Sequence, residues 1–160
     1  MGNKIDFSSD GSFKKHPFLK SRVRSAINRT LKYENVCLPC MVSVLFTDNE
    51  GIKKINSEFR KVDRETDVLS FPANEFEPGR FDEECCEFDH SSGKYILGDI
   101  VISVTKCEQQ GEEFGHSVYK EVEYLTVHSM LHLLGYDHVD EGEMKKQMRA
   151  RERMIMGEKE

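Results

Sequence analysis

The sequence predicts an α+β fold, in which a mixed sheet of about four strands carries a central buried helix on one face and further helices around it. Three short runs rich in β-branched or aromatic residues, at 41–46, 67–71 and 95–104, are typical of strands. Between and after these runs lie segments whose apolar residues recur at helical spacing, which predicts helices. The helical segment that ends at Leu134 is apolar on nearly every side, which is typical of a helix buried in a core.

The length and composition predict a single domain, 1–160, without an internal repeat or a linker. Apolar residues make up 38% of the chain and charged residues 32%, as in a protein with well-hydrated faces. No apolar run approaches the roughly 20 residues that cross a bilayer, and the N-terminus lacks the apolar core of a signal peptide. The 5 cysteines, an odd number, predict reduced thiols. We therefore expect a cytoplasmic protein with no membrane partner.

The elements of the N-terminal half are predicted from periodicity and capping residues. Residues 1–16 are polar and predict at most a short strand at 4–7. Pro17 suits the first turn of a helix, which the following apolar residues continue at helical spacing. Asp48 is a good N-cap for a second helix. The side chains predicted to face inward from these two helices are Phe18, Leu19, Val23, Ala26, Ile27, Leu31, Ile52, Ile55 and Phe59.

The C-terminal half begins with residues 73–94, whose prolines, glycines and many acids predict a loop that could contain a hairpin. A short helix is predicted over 105–114, and Ser117 can cap the main helix after it. Asp140 and Glu143 form a capping box for a last helix. The side chains predicted to face inward from that last helix are Met144, Met148 and Ile155.

Three of the 6 histidines lie in the stretch His128-Ser-Met-Leu-His132-Leu-Leu-Gly135-Tyr-Asp-His138. Because an α-helix has about 3.6 residues per turn, His128 and His132 lie on one face and their rings can converge. Gly135 is placed to end the helix in the left-handed conformation, after which His138 can return to the same point. The pair alone could be core histidines, but three imidazoles predict a metal site. One Zn²⁺ with its fourth position open to water suits them, and nickel, copper or iron are alternatives.

The spacing of this stretch is that of the metzincin pattern His-Glu-x-x-His-x-x-Gly-x-x-His, which predicts a zincin-like arrangement of the buried helix. One position differs. Ser129 stands where those proteases have the glutamate that acts as general base. A serine hydroxyl does not accept a proton from water at neutral pH, so a peptidase of this type would lack its base.

The same stretch resembles the signature of the YbeY family, His-Gly-x-Leu-His-Leu-x-Gly-Tyr-Asp-His, with Ser129 in place of the usual glycine. Two further stretches match the family in the family's order. They are Asn56-Ser-Glu-Phe-Arg60 leading to Thr66-Asp-Val-Leu-Ser-Phe-Pro72, and Leu97-Gly-Asp-Ile100. The resemblance spans residues 40–140.

The resemblance implies a YbeY-like metallohydrolase domain that acts as a single-strand-specific, metal-dependent endoribonuclease in ribosomal RNA maturation and ribosome quality control. A zinc-bound water would attack the RNA phosphodiester, since zinc lowers the pKa of its water towards ~7. The resemblance places Arg60 near the active site, where its planar cation fits phosphate oxygens. The implied partners are single-stranded RNA, ribosomal RNA and ribosome-associated proteins, with no nucleotide cofactor.

Two other functions stay open on the sequence. The metal could be mainly structural in a ribosome-assembly or RNA-binding factor. A zinc hydrolase of peptides or small amides would need a carboxylate base, and Asp99, Glu121 or Glu123 would have to be brought to the metal by the fold. Asp137 either orients a ligand histidine or belongs to a turn. The segment 14–32, with seven basic residues and no acidic one, is either a phosphate-binding patch or a solvated helix face.

Overall fold

Strands and helices alternate up to residue 72, and two further strands and three helices follow, in a computed structural model that describes residues 2–11, 15–137 and 142–157. The α+β class predicted from the sequence is confirmed. A 3₁₀ turn at Glu83–Cys85 precedes the fourth strand. The elements are β1 (Lys4–Ser9), α1 (Leu19–Tyr33), β2 (Cys40–Thr47), α2 (Asn49–Arg60), β3 (Val68–Pro72), β4 (Glu87–Asp89), β5 (Lys94–Ser103), α3 (Val104–Phe114), α4 (Val118–Leu133) and α5 (Glu143–Ile155).

The strands form one mixed sheet in the order β1-β2-β5-β3, and β4 also pairs with β5. The pairs β1–β2 and β2–β5 are parallel, whereas β3 and β4 run antiparallel to β5. The described residues thus contain five strands rather than about four. The additional strand, β4, lies in the segment 73–94 and forms the hairpin that the sequence left open. It is only 3 residues long and mostly exposed, so it has no apolar alternation to predict it.

The alternation of side chains along each strand divides the core between the two faces of the sheet. Val42, Val44 and Phe46 of β2 belong to the large cluster that α1, α3 and α4 cover. On the other face, Leu69 and Val101 pack against Ile52 of α2. Helix α4 therefore lies against one face of the sheet, as predicted, and its buried side chains include Val122, Leu125, Val127, Met130, Leu131 and Leu133.

The capping predictions for α2 and α4 are confirmed. The side chain of Asp48 accepts a hydrogen bond from the backbone N–H of Gly51 at 2.8 Å, and Ser117 accepts one from Lys120 at 3.1 Å. Two inward predictions are wrong, because Phe18 is 59% exposed and Phe59 is 65% exposed. Phe18 lies at the start of α1 and Phe59 near the end of α2. At these ends the helix extends beyond the packed core, so a side chain on its inward face meets solvent.

Helix α5 buries Met148 and Ile155, as predicted, against a cluster that contains Ala26 and Leu131. Met144 is only half-buried. The helix begins after Gly142, which makes no side-chain cap. The predicted capping box includes Asp140, which lies outside the described residues.

No helix in the described part of the chain is long and apolar enough to span a bilayer. The cysteines are free thiols, and Cys40, Cys86 and Cys107 are buried. Burial raises the pKa of Cys40 to about 12 and that of Cys86 to about 11, so both thiols stay protonated at neutral pH.

Candidate metal centre

Helix α4 is buried on most of its sides, but its two histidines face an open cleft. Neighbouring residues on the helix, such as Val127 and Leu131, pack against α1 and α5. His128 and His132 are only partly buried, one turn apart on the side that faces the cleft. Ser129, which stands at the position of the metzincin base, is fully buried and is not among the described residues that line the cleft.

The chain leaves α4 through a turn that returns its backbone to the second histidine. Gly135 has a φ of 101°, as predicted for the residue that ends the helix. The N–H of Gly135 bonds to the carbonyl of His132 at 3.1 Å, and the N–H of Tyr136 bonds to that of Leu131 at 3.0 Å, the paired hydrogen bonds of a Schellman motif. The carbonyl oxygen of Tyr136 then accepts a hydrogen bond from His132 Nδ1 at 2.9 Å. The turn therefore fixes the orientation of the His132 ring.

The two imidazole rings turn the same nitrogen towards each other. His128 Nδ1 lies 3.1 Å from a carboxylate oxygen of Glu152, and a carboxylate accepts a hydrogen bond. Since the Nδ1 of each ring faces an acceptor, the favoured tautomer of each neutral ring has its proton on Nδ1 and its lone pair on Nε2. The two Nε2 atoms lie 3.2 Å apart. Two lone pairs that face each other at this distance repel unless a cation or a proton lies between them.

This geometry fits a metal ion. Two histidine nitrogens bound at ~2.05 Å to one tetrahedral zinc ion stand about 3.3 Å apart, close to the observed 3.2 Å. Within the described residues no group of three potential ligands comes together. The third predicted ligand, His138, lies outside them. The donor set is thus two imidazoles with suitable tautomers, to which His138 stays a predicted addition.

The cleft above the histidines has a volume of about 640 Å³. Arg60, from the last turn of α2, contributes to its lining. Its guanidinium group donates a hydrogen bond to the carbonyl of Ser70 and lies 5.2 Å from the centre of the Phe71 ring. Strand β3 therefore holds the one predicted catalytic residue in the same cleft as the histidine pair. The described residues that line the cleft are Arg60, Thr66, Asp67, Val68, Ser70, Pro72, Asn74, Glu75, Phe76, His128, His132, Gly135, Tyr136 and Asp137.

The carboxylates considered as a peptidase base lie elsewhere in the described structure. Glu121 faces His116 at 3.8 Å, and burial raises the pKa of its carboxyl group. Glu123 pairs with Arg22 at 3.2 Å. Asp99 lines a separate recess on the other face of β3. None of the three lines the histidine cleft, so the fold does not supply the base from these positions.

Sequence reasoning missed Glu152, which contacts His128 from α5, 24 residues further along the chain. A signal was present. Met148, Glu152 and Ile155 fall at i, i+4 and i+7, so the acid occupies a position on an otherwise apolar helical face. Asp137, predicted either to orient a histidine or to form a turn, lines the cleft. Among the described contacts, the acceptors at the Nδ1 atoms of the two imidazoles are Glu152 and the Tyr136 carbonyl.

The basic residues of 14–32 that the structure describes lie mostly on α1, and several contact the protein itself. Arg22 and Arg29 both approach Glu123, at 3.2 and 3.9 Å. Arg24 stacks on Phe7 at 5.3 Å. These contacts favour the interpretation of this face as a solvated helix surface.

The α+β fold places two histidines of a buried helix, one turn apart, at a cleft that also contains an arginine, a site of the kind that can hold a metal ion. The comparisons with known proteins give the family. The family described as endoribonuclease YbeY matches residues 5–160. The chain is 50% identical over 144 residues to the endoribonuclease YbeY of Clostridium kluyveri, with 86% of this chain and 87% of the relative covered. It is 46% identical over 144 residues to that of Clostridium botulinum, with 86% of each covered.

The fold is also similar to the solution structure of a Thermotoga maritima protein, with 25% sequence identity and a TM-score of 0.52. That likeness covers 96% of this chain and 89% of the other. The chain belongs to the endoribonuclease YbeY family, which confirms the resemblance found in the sequence. It is a hydrolase that cleaves RNA at internal phosphodiester bonds.

Proposed function

We propose that the protein is a metal-dependent endoribonuclease that cleaves single-stranded segments of ribosomal RNA during ribosome maturation and quality control. In this proposal His128, His132 and His138 hold one zinc ion. The observation that carries it is the pair of Nε2 atoms, 3.2 Å apart, each on a ring whose Nδ1 faces an acceptor. A ring pair in this arrangement is prepared to bind a cation.

The charges of the cleft support a bound cation. Asp67, Glu75 and Asp137 line it together with Arg60, and the net charge of the chain is −6. An RNA backbone would be repelled by such a cleft unless a cation at the histidines offset the carboxylates. When bound, zinc supplies an activated water by lowering the pKa of that water towards ~7, which removes the need for a strong protein base.

Arg60 is proposed to bind the phosphodiester that is cleaved. Its permanently charged fork suits two phosphate oxygens at once, and these oxygens gain charge in the transition state. The hydrogen bond to Ser70 and the Phe71 ring hold the guanidinium group at the cleft before RNA arrives. Preorganisation of this kind increases the contribution of a cation to catalysis.

The depth of the site favours a single strand as substrate. The His128 side chain is 18% exposed, so a scissile phosphate has to enter the cleft to reach it. A flexible single strand can direct one phosphate inward, whereas a duplex holds its phosphates in a fixed outer helix. Ribosomal RNA and ribosome-associated proteins are the proposed partners. The proposed location is the cytoplasm, where ribosomes mature.

The proposal predicts that RNA cleavage depends on the bound metal. Stripping the purified protein with a chelator is expected to abolish cleavage of a labelled single-stranded oligonucleotide, and one equivalent of Zn²⁺ is expected to restore it. The same oligonucleotide annealed to its complement is expected to be cleaved at least about tenfold more slowly, because its phosphates cannot enter the cleft. Elemental analysis, circular dichroism and a denaturing gel give the metal content, the fold and the rate.

Two results would overturn the proposal. Cleavage that is unchanged in stripped protein would exclude a catalytic metal. Stoichiometric metal without cleavage above a mock purification would favour a ribosome-assembly or RNA-binding factor whose metal is structural. The mock purification is essential, since traces of other ribonucleases degrade single strands.

Replacing Arg60 with glutamine is expected to lower kcat by about 10²-fold, because the variant keeps a polar side chain but loses the charge on the phosphate. The fold is expected to be retained, since Arg60 is exposed. Arg64→Gln is the matched control. This exposed arginine follows α2 and is not among the described residues that line the cleft. Equal rates for the two variants in single-turnover assays would remove Arg60 from the proposed active site.

A further inference from the structure

Glu152 is a buried acid that the proposed reaction does not yet use. It belongs to α5, and it is 4% exposed. Its neighbours on the same helical face, Met148 and Ile155, are buried apolar residues. Burial of a carboxylate is unfavourable unless a charged or hydrogen-bonding partner offsets it. The position therefore calls for a specific partner.

One partner is the ring of His128. The Oε1 atom of Glu152 lies 3.1 Å from Nδ1, at the edge of the imidazole. The Tyr124 ring stacks on the face of the same imidazole, with the centroids 6.2 Å apart and an angle of 27° between the planes. Burial, followed by the charge of Glu152 and a side-chain hydrogen bond with it, raises the pKa of Tyr124, so the neutral Tyr124 hydroxyl is a second partner of the acid. His128 is thus held at one edge and on one face.

The hydrogen bond decides which nitrogen of His128 is available to a ligand. A carboxylate at Nδ1 favours the tautomer with the proton on Nδ1 and leaves the lone pair on Nε2. That Nε2 is the atom that faces His132. The backbone carbonyl of Tyr136 has the same effect on His132, but it is neutral. Among the described contacts of the histidine pair, Glu152 therefore supplies a charged acceptor.

We propose that Glu152 is a positioning residue of the metal centre. It fixes the tautomer and the orientation of His128 and increases the basicity of Nε2 towards a metal ion. This inference rests on the proposed metal site at His128 and His132. It assigns a function to α5, which otherwise lies outside the cleft.

A purely structural role, in which Glu152 ties α5 to α4, is the alternative. The helix has other attachments in the described structure. Met148 and Ile155 pack in the cluster with Leu131, and Arg151 lies 3.5 Å from the carboxylate of Glu34. Because these contacts hold α5, the acid is not needed to dock it. A structural tie would affect the stability of the fold without a specific effect on zinc affinity.

The test compares Glu152→Gln with Glu143→Gln, an exposed acid on the same helix. Glutamine keeps the size of the side chain but removes the charge and can donate as well as accept. Zinc affinity, measured by competition with a chromogenic chelator, is expected to fall 10- to 100-fold in Glu152→Gln and to change less than about twofold in the control. In the metal-free variant at pH 8, long-range ¹H–¹⁵N spectra of the imidazoles are expected to show a mixture of His128 tautomers.

An unchanged zinc affinity in folded Glu152→Gln would overturn the inference. If that variant does not fold, the wild-type protein decides the question, because a His128 ring with its proton on Nε2 in the metal-free state would also overturn it. Neither readout involves RNA. Wild-type protein that binds zinc but does not cleave RNA would overturn the proposed function and leave the role of Glu152 intact. Wild-type protein without zinc affinity would overturn both.

Discussion

Replacing His132 with alanine is expected to lower the rate of RNA cleavage by at least about 10³-fold, to the background of a mock purification. The variant leaves the proposed ion with one described ligand and His138, and a water that is no longer bound to zinc keeps its ordinary pKa, far above ~7. The loss of metal is expected to account for the effect, so the zinc content should fall with the rate.

The fold of His132→Ala is expected to survive. The ring is only partly buried and lies at the floor of a cleft, so its removal leaves no closed cavity. The hydrogen bond from Nδ1 to the Tyr136 carbonyl is lost, which is expected to reduce the free energy of unfolding by about 1 kcal/mol. Urea titration followed by circular dichroism measures this change separately from the activity.

His116→Ala is the matched control for that experiment. His116 is exposed, faces Glu121 at 3.8 Å and is not among the described residues of the cleft. It is expected to keep the zinc content and the single-turnover rate of the wild-type protein. A His132→Ala variant that also kept both would show that the metal lies elsewhere.

Short-range signals predicted the parts of this structure that depend on neighbours in the chain. The spacing of His128 and His132 predicted that their rings meet, and Gly135 ends the helix as expected. The cap formed by Asp48 joins residues only three positions apart and was also predicted correctly. The role of the histidines as metal ligands stays a prediction, since His138 lies outside the described residues.

Features that depend on tertiary packing were harder to predict. Helical periodicity placed Phe59 inside, but the sheet ends at β3 and the ring packs against the edge of Phe71, 5.8 Å away, in a largely exposed position. Glu152 meets His128 only because α5 packs across α4. A single sequence shows that an acid interrupts the apolar face of a helix, but it does not show which group on another helix compensates for it.

Replacing Gly98 with alanine is expected to lower the free energy of unfolding by about 3 kcal/mol. Gly98 has a φ of 139°, a conformation that L side chains rarely adopt. A Cβ atom there would lie 2.3 Å from the carbonyl oxygen of Phe71 and 3.1 Å from the backbone nitrogen of Ala73. Both atoms belong to the backbone of β3 or of the residue that follows it, so β3 itself has to move.

The displacement is expected to reach the cleft, because β3 carries the Ser70 carbonyl and the Phe71 ring that hold Arg60. RNA cleavage should therefore fall even at temperatures where the variant is fully folded. Gly93→Ala separates the clash from the strain of a positive φ, since Gly93 has a φ of 72° but no atom within 4 Å of the added methyl group. The control is expected to cost about 1 kcal/mol and to leave cleavage unchanged. Equal losses for the two variants in urea titrations would show that β3 yields to the methyl group, and that the close approach at Gly98 does not fix the position of Arg60.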